Sequence, residues 1–270
     1  MMRKNDNHQK GRVSNGEPVI SVQGLTVRYG EDTILEEVSF QVFRGEVLVV
    51  AGGSGCGKST LLKHMIGLSA PTSGRVLING IDITTAEEEE LGRLRRGIGM
   101  LFQSSALFGS MTLSENVALP LYEFTHLPAA TIDLIVNMKL GMVGLAGYGN
   151  HLPSELSGGM KKRAGIARAM AMDPHVLFFD ELSAGLDPIT SAELDLLIKS
   201  INEGMATTMV IVTHELESIF NVAHRVIMLD RSKRGIIAEG TPWELKENST
   251  DPQVKKYFHR EIIGQKNKGI

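Results

Sequence analysis

The stretch Gly52, Gly53, Ser54, Gly55, Cys56, Gly57, Lys58, Ser59 fits the pattern G-x-x-x-x-G-K-S of a phosphate-binding loop. Each residue type has a reason. Glycines let backbone N–H groups curl inward around phosphate oxygens with no Cβ in the way. The helix expected from Lys58 adds its positive end. Lys58 is then placed to reach the β- and γ-phosphates, and Ser59 to offer a hydroxyl to Mg²⁺. Cys56 suits the loop as a small residue, although a thiol near a helix N-terminus can also have a lowered pKa. The expectation is that alkylation of Cys56 blocks nucleotide binding and that nucleotide protects it.

A second candidate anion site lies about a hundred residues further on. In "SELSGGMKKR", residues 154–163, Ser157, Gly158 and Gly159 stand at an expected helix start. One bound nucleotide does not need two such sites. Further on, "VLFFDE" ends an apolar strand with Asp180 and Glu181. One carboxylate there can sit near Mg²⁺, in part through water, and the next can face an attacking water as general base. Two acids at a strand end are also a common capping arrangement. His214 ends the strand "MVIVTH". Beside a phosphate loop it can contact a γ-phosphate or hold the water in place. Tyr29, just before Gly30, is an aromatic upstream of the loop that can stack on adenine or simply pack.

These groups need a scaffold, and 270 residues with 42% hydrophobic composition supply a real core for one domain, or one domain with a sizeable insertion. A net charge of −3 argues against a nucleic-acid partner. The one cysteine excludes an internal disulfide framework and fits a reducing compartment. Residues 1–18 are polar, without a secretory pattern, and are expected to form a disordered tail. The apolar runs are strand-sized, so a soluble protein that reaches a membrane only through a partner is expected.

The run Val47 to Ala51, bounded by glycines, predicts a buried parallel strand, followed by a helix with Leu61, Leu62, Met65 and Ile66 on one face. "VISVQGLTVRYG", "ILEEVSFQVF" and "PTSGRVLINGIDI" predict further strands. Residues 104–168 carry helical spacing, with Pro120, Pro128 and Pro153 as breaks. Glu87 to Glu90 reads as a solvated helix start. A helix from Ile189 is expected to close at Gly204, and "RVIMLDRSKRGIIAEG" to form a hairpin. Residues 243–270 read as a helical extension, whose Val254, Tyr257 and Phe258 suit either a docked or a surface helix.

Tyr29, the loop, Gln103, "LSGGM", "VLFFDE", "SAGLD" and His214 stand in an order that resembles the ATP-binding subunits of ABC transporters. The resemblance covers roughly residues 19–242 and is carried most specifically by "LSGG" shortly before "FFDE". It implies an α/β fold: a P-loop NTPase (RecA-like) core, an antiparallel β subdomain and a helical insertion subdomain. It also implies ATP hydrolysis with Mg²⁺. Two copies would pack head to tail, with Ser157, Gly158 and Gly159 of one facing the ATP held by residues 52–60 of the other, Thr60 included. Glu181 would be the base, with Lys58, His214 and Gln103 completing the catalytic set. Ser59, Asp180 and Gln103 would serve Mg²⁺, and Asp187 would belong to a loop that faces the opposite site. The chain after Gln103 would dock a permease helix, holding the subunit at the cytoplasmic face of the inner membrane.

Two positions depart from the family pattern. Leu182 stands where most members carry proline, which puts the turnover rate in doubt, and Met160 where many carry glutamine. Met160, together with "QSSALFGSMTLSENVALPL" and "PSELSGGM", resembles the Mla/MCE branch. That implies phospholipid or other lipid traffic in a cell envelope, with a multi-helix permease, a periplasmic MCE protein and a STAS-domain regulator as partners. An importer of a polar, amino-acid-like solute shares every catalytic motif. A soluble ABC ATPase acting on DNA or ribosomes is disfavoured by the single cassette, and a non-hydrolysing module by the presence of Glu181 and His214.

Overall fold

The computed structural model describes residues 16–259, so most of the polar tail and the last residues of the extension lie outside the described residues. Alternating apolar positions build two long antiparallel strands, β1 (Pro18–Tyr29) and β2 (Asp32–Phe43). The apolar run becomes β3 (Val47–Gly52), buried at every position. Helix α1 (Lys58–Met65) follows the phosphate loop directly. Strands β4 (Ser73–Ile78) and β5 (Ile81–Asp82) join β1 and β2 in a four-stranded antiparallel sheet of order β2-β1-β4-β5.

Helix α2 (Glu88–Arg96) starts on three glutamates and ends on three arginines, the arrangement that complements its dipole. After β6 (Ile98–Leu101) come α3 (Leu113–Phe124), α4 (Ala129–Met142) and α5 (Gly158–Ala169). Pro120 does not break the chain, contrary to expectation: it lies inside α3. An interior proline costs about 3 kcal/mol. Here the capping box of Thr112 and Glu115 and the burial of Val117 and Leu121 offset that cost. Pro128 and Pro153 do stand at helix starts.

The remaining elements are β7 (Val176–Asp180), α6 (Pro188–Met205), β8 (Thr208–Val212), α7 (Leu216–Val222), β9 (Arg225–Asp230), β10 (Gly235–Gly240), α8 (Pro242–Asn248) and α9 (Pro252–His259). Helix α6 runs through Gly204, and Ala206, at φ 50°, takes the left-handed cap expected of the glycine. The second sheet has the order β10-β9-β3-β8-β7-β6. It is parallel except for β10, which closes the expected hairpin with β9.

Alternation along the central strands divides the core between two faces. Val47, Val49 and Ala51 join Phe179 and Ile211 under α3 to α7, while Leu48 and Val50 join Phe178 and Val210 against α1 and the antiparallel sheet. Val254 and Phe258 are buried in the first of these clusters, so α9 docks on its own subunit, where Phe258 meets Phe220 edge to face. Arg225 staples the two sheets. Its guanidinium bonds Glu46 through Nε at 2.6 Å and Nη2 at 2.9 Å, and reaches Gln41 O on β2 and Glu239 on β10. No described helix is long and apolar enough to cross a membrane.

Candidate active site

Parallel strands β3, β8 and β7 lie side by side, so whatever follows their C-terminal ends converges on one edge. The phosphate loop follows β3, His214 follows β8, and Asp180 and Glu181 close β7. The loop is wound tightly enough to require glycine at two places. A Cβ on Gly52, at φ 141°, would lie 2.4 Å from Leu229 O, and one on Gly57, at φ 103°, would lie 2.8 Å from Leu35 Cδ2. Lys58 Nζ folds over the loop and donates to Gly52 O at 2.9 Å and Gly53 O at 3.0 Å. A phosphate entering the loop therefore meets an ammonium already held at its centre.

Ser59 Oγ donates to Asp180 Oδ1 at 3.1 Å, bringing the two proposed Mg²⁺ residues together. Among the described residues there is no cluster of three or more His, Cys, Asp or Glu that could hold a metal ion. A hard-oxygen pair that needs phosphate and water to complete its shell fits Mg²⁺ rather than a caged metal. Next to Asp180, Glu181 adopts φ 50°, a left-handed conformation that costs a non-glycine residue about 1 kcal/mol. Its N–H bonds Val212 O at 2.9 Å. His214 Nδ1 lies 2.8 Å from Glu181 Oε2, as close as an ion pair, yet Oε2 is buried without an aligned hydrogen bond. Leu182, where the family resemblance expects proline, is buried in the core, so packing anchors the residue after Glu181 instead.

Cys56 suits the reading of a small residue that fits the loop rather than an activated thiol. It is 2% exposed, and burial pushes its pKa up, with the Lys58 charge opposing. Tyr29 stands 55% exposed at the end of β1, where it can offer a face. Thr60 continues the first turn of α1, and Ser54 and Gly55 are exposed on the loop.

The second candidate anion site is a true helix start. Ser157 caps α5, its Oγ accepting from Met160 N at 3.3 Å, and Gly158 stands exposed beside it. Gly159 is needed for packing, since a Cβ there would lie 2.4 Å from Thr190 Cγ2. Among the described residues no hydrogen bond or ion pair joins 157–159 to the phosphate loop of the same chain. Asp187 acts locally. Its carboxylate caps α6, accepting from Ile189 N at 3.1 Å and Thr190 N at 3.0 Å. The Thr190 hydroxyl bond, first, and the Thr190 amide hold that carboxyl below its usual range.

Gln103 is exposed, and its backbone carbonyl makes the contact that fixes it: it accepts from Lys162 Nζ, which also donates to Glu181 O at 3.3 Å. Lys162 escapes a reading of the sequence. It stands beside Lys161 and Arg163 as one of three adjacent cations, although the stripe Gly159, Lys162, Ile166 has helical spacing and is buried. Tyr257 is legible there only as an apolar position. Its hydroxyl is buried, and its pKa is pushed up to about 12, first by burial and then by Glu181, the Gly52 amide opposing without reaching hydrogen-bond geometry. A cleft of about 470 Å³ beside it takes in His214, Glu215 and Asp195 but none of the phosphate loop.

A phosphate loop after a central parallel strand, with an acid pair and a histidine at the neighbouring strand ends, defines a P-loop ATPase with an attached antiparallel sheet and helical layer. The ABC transporter family model matches residues 35–184. The intermembrane phospholipid transport ATP-binding protein MlaF of Haemophilus influenzae is 41% identical over 91% of this chain and 92% of its own length. A probable ribonucleotide transport ATP-binding protein, mkl of Mycobacterium leprae, is 42% identical over 94% of the chain and 72% of its own. The methionine import ATP-binding protein MetN of Brucella abortus is 40% identical over 87% of the chain and 63% of its own. Among solved structures, a dimeric ATP-binding cassette in a post-hydrolysis state with ADP and Pi matches with a TM-score of 0.75 at 31% identity, covering 83% of this chain and 98% of that one. The chain belongs to the ABC transporter family and is its ATP-hydrolysing, ATP-binding subunit.

Proposed function

We propose that two copies of this chain close head to tail around two ATP molecules and use the hydrolysis to drive a membrane permease that moves phospholipid or another lipid of the cell envelope. The observation that carries the sandwich is the separation of two anion-binding helix starts on one chain, at 52–60 and at 157–159, together with the dimeric solved relative. Residues 52–60 wrap the phosphates, Lys58 neutralises them, and Tyr29 stacks on adenine. Ser59 and Asp180, with Gln103 near them, would hold Mg²⁺, which would supply charge stabilisation to the phosphates. Glu181 takes the proton of the attacking water, and His214 beside it fixes that water or the γ-phosphate. Ser157, Gly158 and Gly159 donate to the γ-phosphate held by the other copy, and Asp187 faces that site. Loss of the γ-phosphate removes the bridge and lets the dimer reopen.

The lipid assignment rests on the match to a phospholipid transport relative over nearly both full lengths, with Met160 and residues 104–168 as its local support. The partners this reading implies are a multi-helix permease docked at the chain after Gln103, a periplasmic MCE protein and a STAS-domain regulator, with the subunit on the cytoplasmic face of the inner membrane. A polar-solute importer is the second reading, favoured by the comparable identity of the ribonucleotide and methionine relatives. Gentle purification from native membranes, followed by mass spectrometry of proteins and lipids, separates the two. A permease with an MCE protein and phospholipid supports lipid transport. A permease with a polar-solute receptor and no lipid overturns it and leaves the ATPase chemistry standing.

A further inference from the structure

We propose that Lys162 is a positioning residue for hydrolysis: its ammonium clamps the loop at Gln103 to the strand end that carries Glu181. The proposal rests on the reading of Glu181 as the base. Lys162 lies in the second turn of α5, the helix that begins at Ser157, and is 5% exposed. Its Nζ donates to Gln103 O and, at 3.3 Å, to Glu181 O. An ammonium taken out of water is costly unless its protons are matched by acceptors. A leucine or methionine would fill the same space without that cost. The charge is therefore placed for what it holds, two backbone carbonyls from segments far apart in sequence.

What it holds on one side is a strained residue. Glu181 keeps a left-handed backbone without a following proline. Its amide is fixed by Val212 O and its carbonyl by Lys162, so the peptide groups on both sides of the side chain are restrained. On the other side, α5 grips the same loop again one turn and a half later. Arg168 donates to Ala106 O at 2.7 Å and Ser105 O at 2.9 Å, two further residues at positive φ. Between the two cations Gly165 lets the helix touch the loop, since a Cβ there would lie 2.4 Å from Leu101 Cδ1 and 3.4 Å from Ser105 Cβ. Helix α5 and residues 101–106 thus move as one body. A displacement of that body reaches the Glu181 carbonyl through Lys162, which makes the aim of the base depend on the loop.

The test compares the full chain as wild type, Lys162→Met, Lys162→Gln, Lys162→Arg and Glu181→Gln. The readouts are kcat, KM, equilibrium ATP binding and thermal melting. Lys162→Met is expected to lower kcat about 30-fold, since misplacement of a reacting group by about 1 Å costs on the order of 100-fold. ATP affinity should stay within about 3-fold, because no phosphate contact changes. Lys162→Arg, which keeps the charge and several donors, should restore most of kcat. Lys162→Gln folds without a buried charge, and its amide stops short of the ammonium, so it should fall between the two. A kcat for Met or Gln equal to wild type, while Glu181→Gln has lost turnover, overturns the clamp and spares the base. Parallel loss of kcat and ATP affinity without rescue by Arg overturns it too, by making Lys162 merely structural. Turnover that survives Glu181→Gln sinks the base assignment itself, and the clamp with it.

Discussion

His214 Nδ1 and Glu181 Oε2 stand 2.8 Å apart, although the residues leave different parallel strands. The register of β7 and β8 makes this meeting: Asp180 pairs with Val212, and each chain turns out of the sheet at the same level. Glu181 is largely covered, while His214 is exposed, so the pair presents one protected oxygen and one accessible ring. That is the arrangement a base and a water-holding partner need. Glu181→Gln is expected to lower hydrolysis by about 10²-fold or more while ATP still binds. Light scattering should then find an ATP-dependent dimer. A variant that binds ATP and stays monomeric would count against the sandwich.

Lys58 already donates to two carbonyls of its own loop, and bound phosphate would replace those neutral acceptors with charged ones. Lys58→Ala should weaken ATP binding by about 2 kcal/mol or more, some 30-fold. Isothermal titration measures this directly. Affinity within about 2-fold of wild type would place the nucleotide elsewhere.

Cys56 sits in the same loop, but burial holds its thiol protonated above the ordinary range. A raised thiol pKa leaves less thiolate at neutral pH, so alkylation should be slow there and accelerate only as pH climbs past the ordinary thiol value. Labelling of native chain should lag far behind labelling in denaturant, and ATP should slow it further. Native labelling as fast as that of the denatured chain would show an open loop.

The two sheets are held to each other by Arg225 on β9, which reaches β2, β10 and the turn before β3. Glu46→Gln removes the charge that Arg225 faces and leaves a buried guanidinium short of a partner, which costs about 3 kcal/mol. A lower urea midpoint with unchanged m-value is the expected result. An unchanged midpoint would mean that Glu239 and Gln41 alone hold the arginine.

The site was legible where its chemistry is local. Gly52 to Ser59 follows an apolar run, and Asp180 and Glu181 end another, so the sequence marks two candidate segments, which the order of the parallel strands then brings to one edge of the sheet. The fold misled where a local preference met packing. Pro120 stays inside α3 because Val117 and Leu121 beside it are buried, and Ala206 takes the cap that Gly204 was expected to take. Lys162 and Arg225 were illegible for a different reason. Each looks like a surface cation in sequence, and only the tertiary arrangement shows the carbonyls and carboxylates that justify burying it. The α9 residues Val254 and Phe258 have the right spacing for docking, but spacing does not name the surface, which the core cluster supplies.

The central claim is that Ser157 acts on the nucleotide of another copy, and mixing two dead variants tests it most directly. Lys58→Ala spoils the phosphate loop, and Ser157→Arg spoils the other anion site while leaving its own chain able to bind ATP. Each alone should show no single-turnover hydrolysis. In a mixed dimer one composite site joins the intact loop of the second variant to the intact Ser157 of the first. Hydrolysis that reappears on mixing is the predicted result. A mixture as inactive as its parts, with Ser157→Arg alone unable to bind ATP, would contradict the claim and return Ser157 to the nucleotide of its own chain.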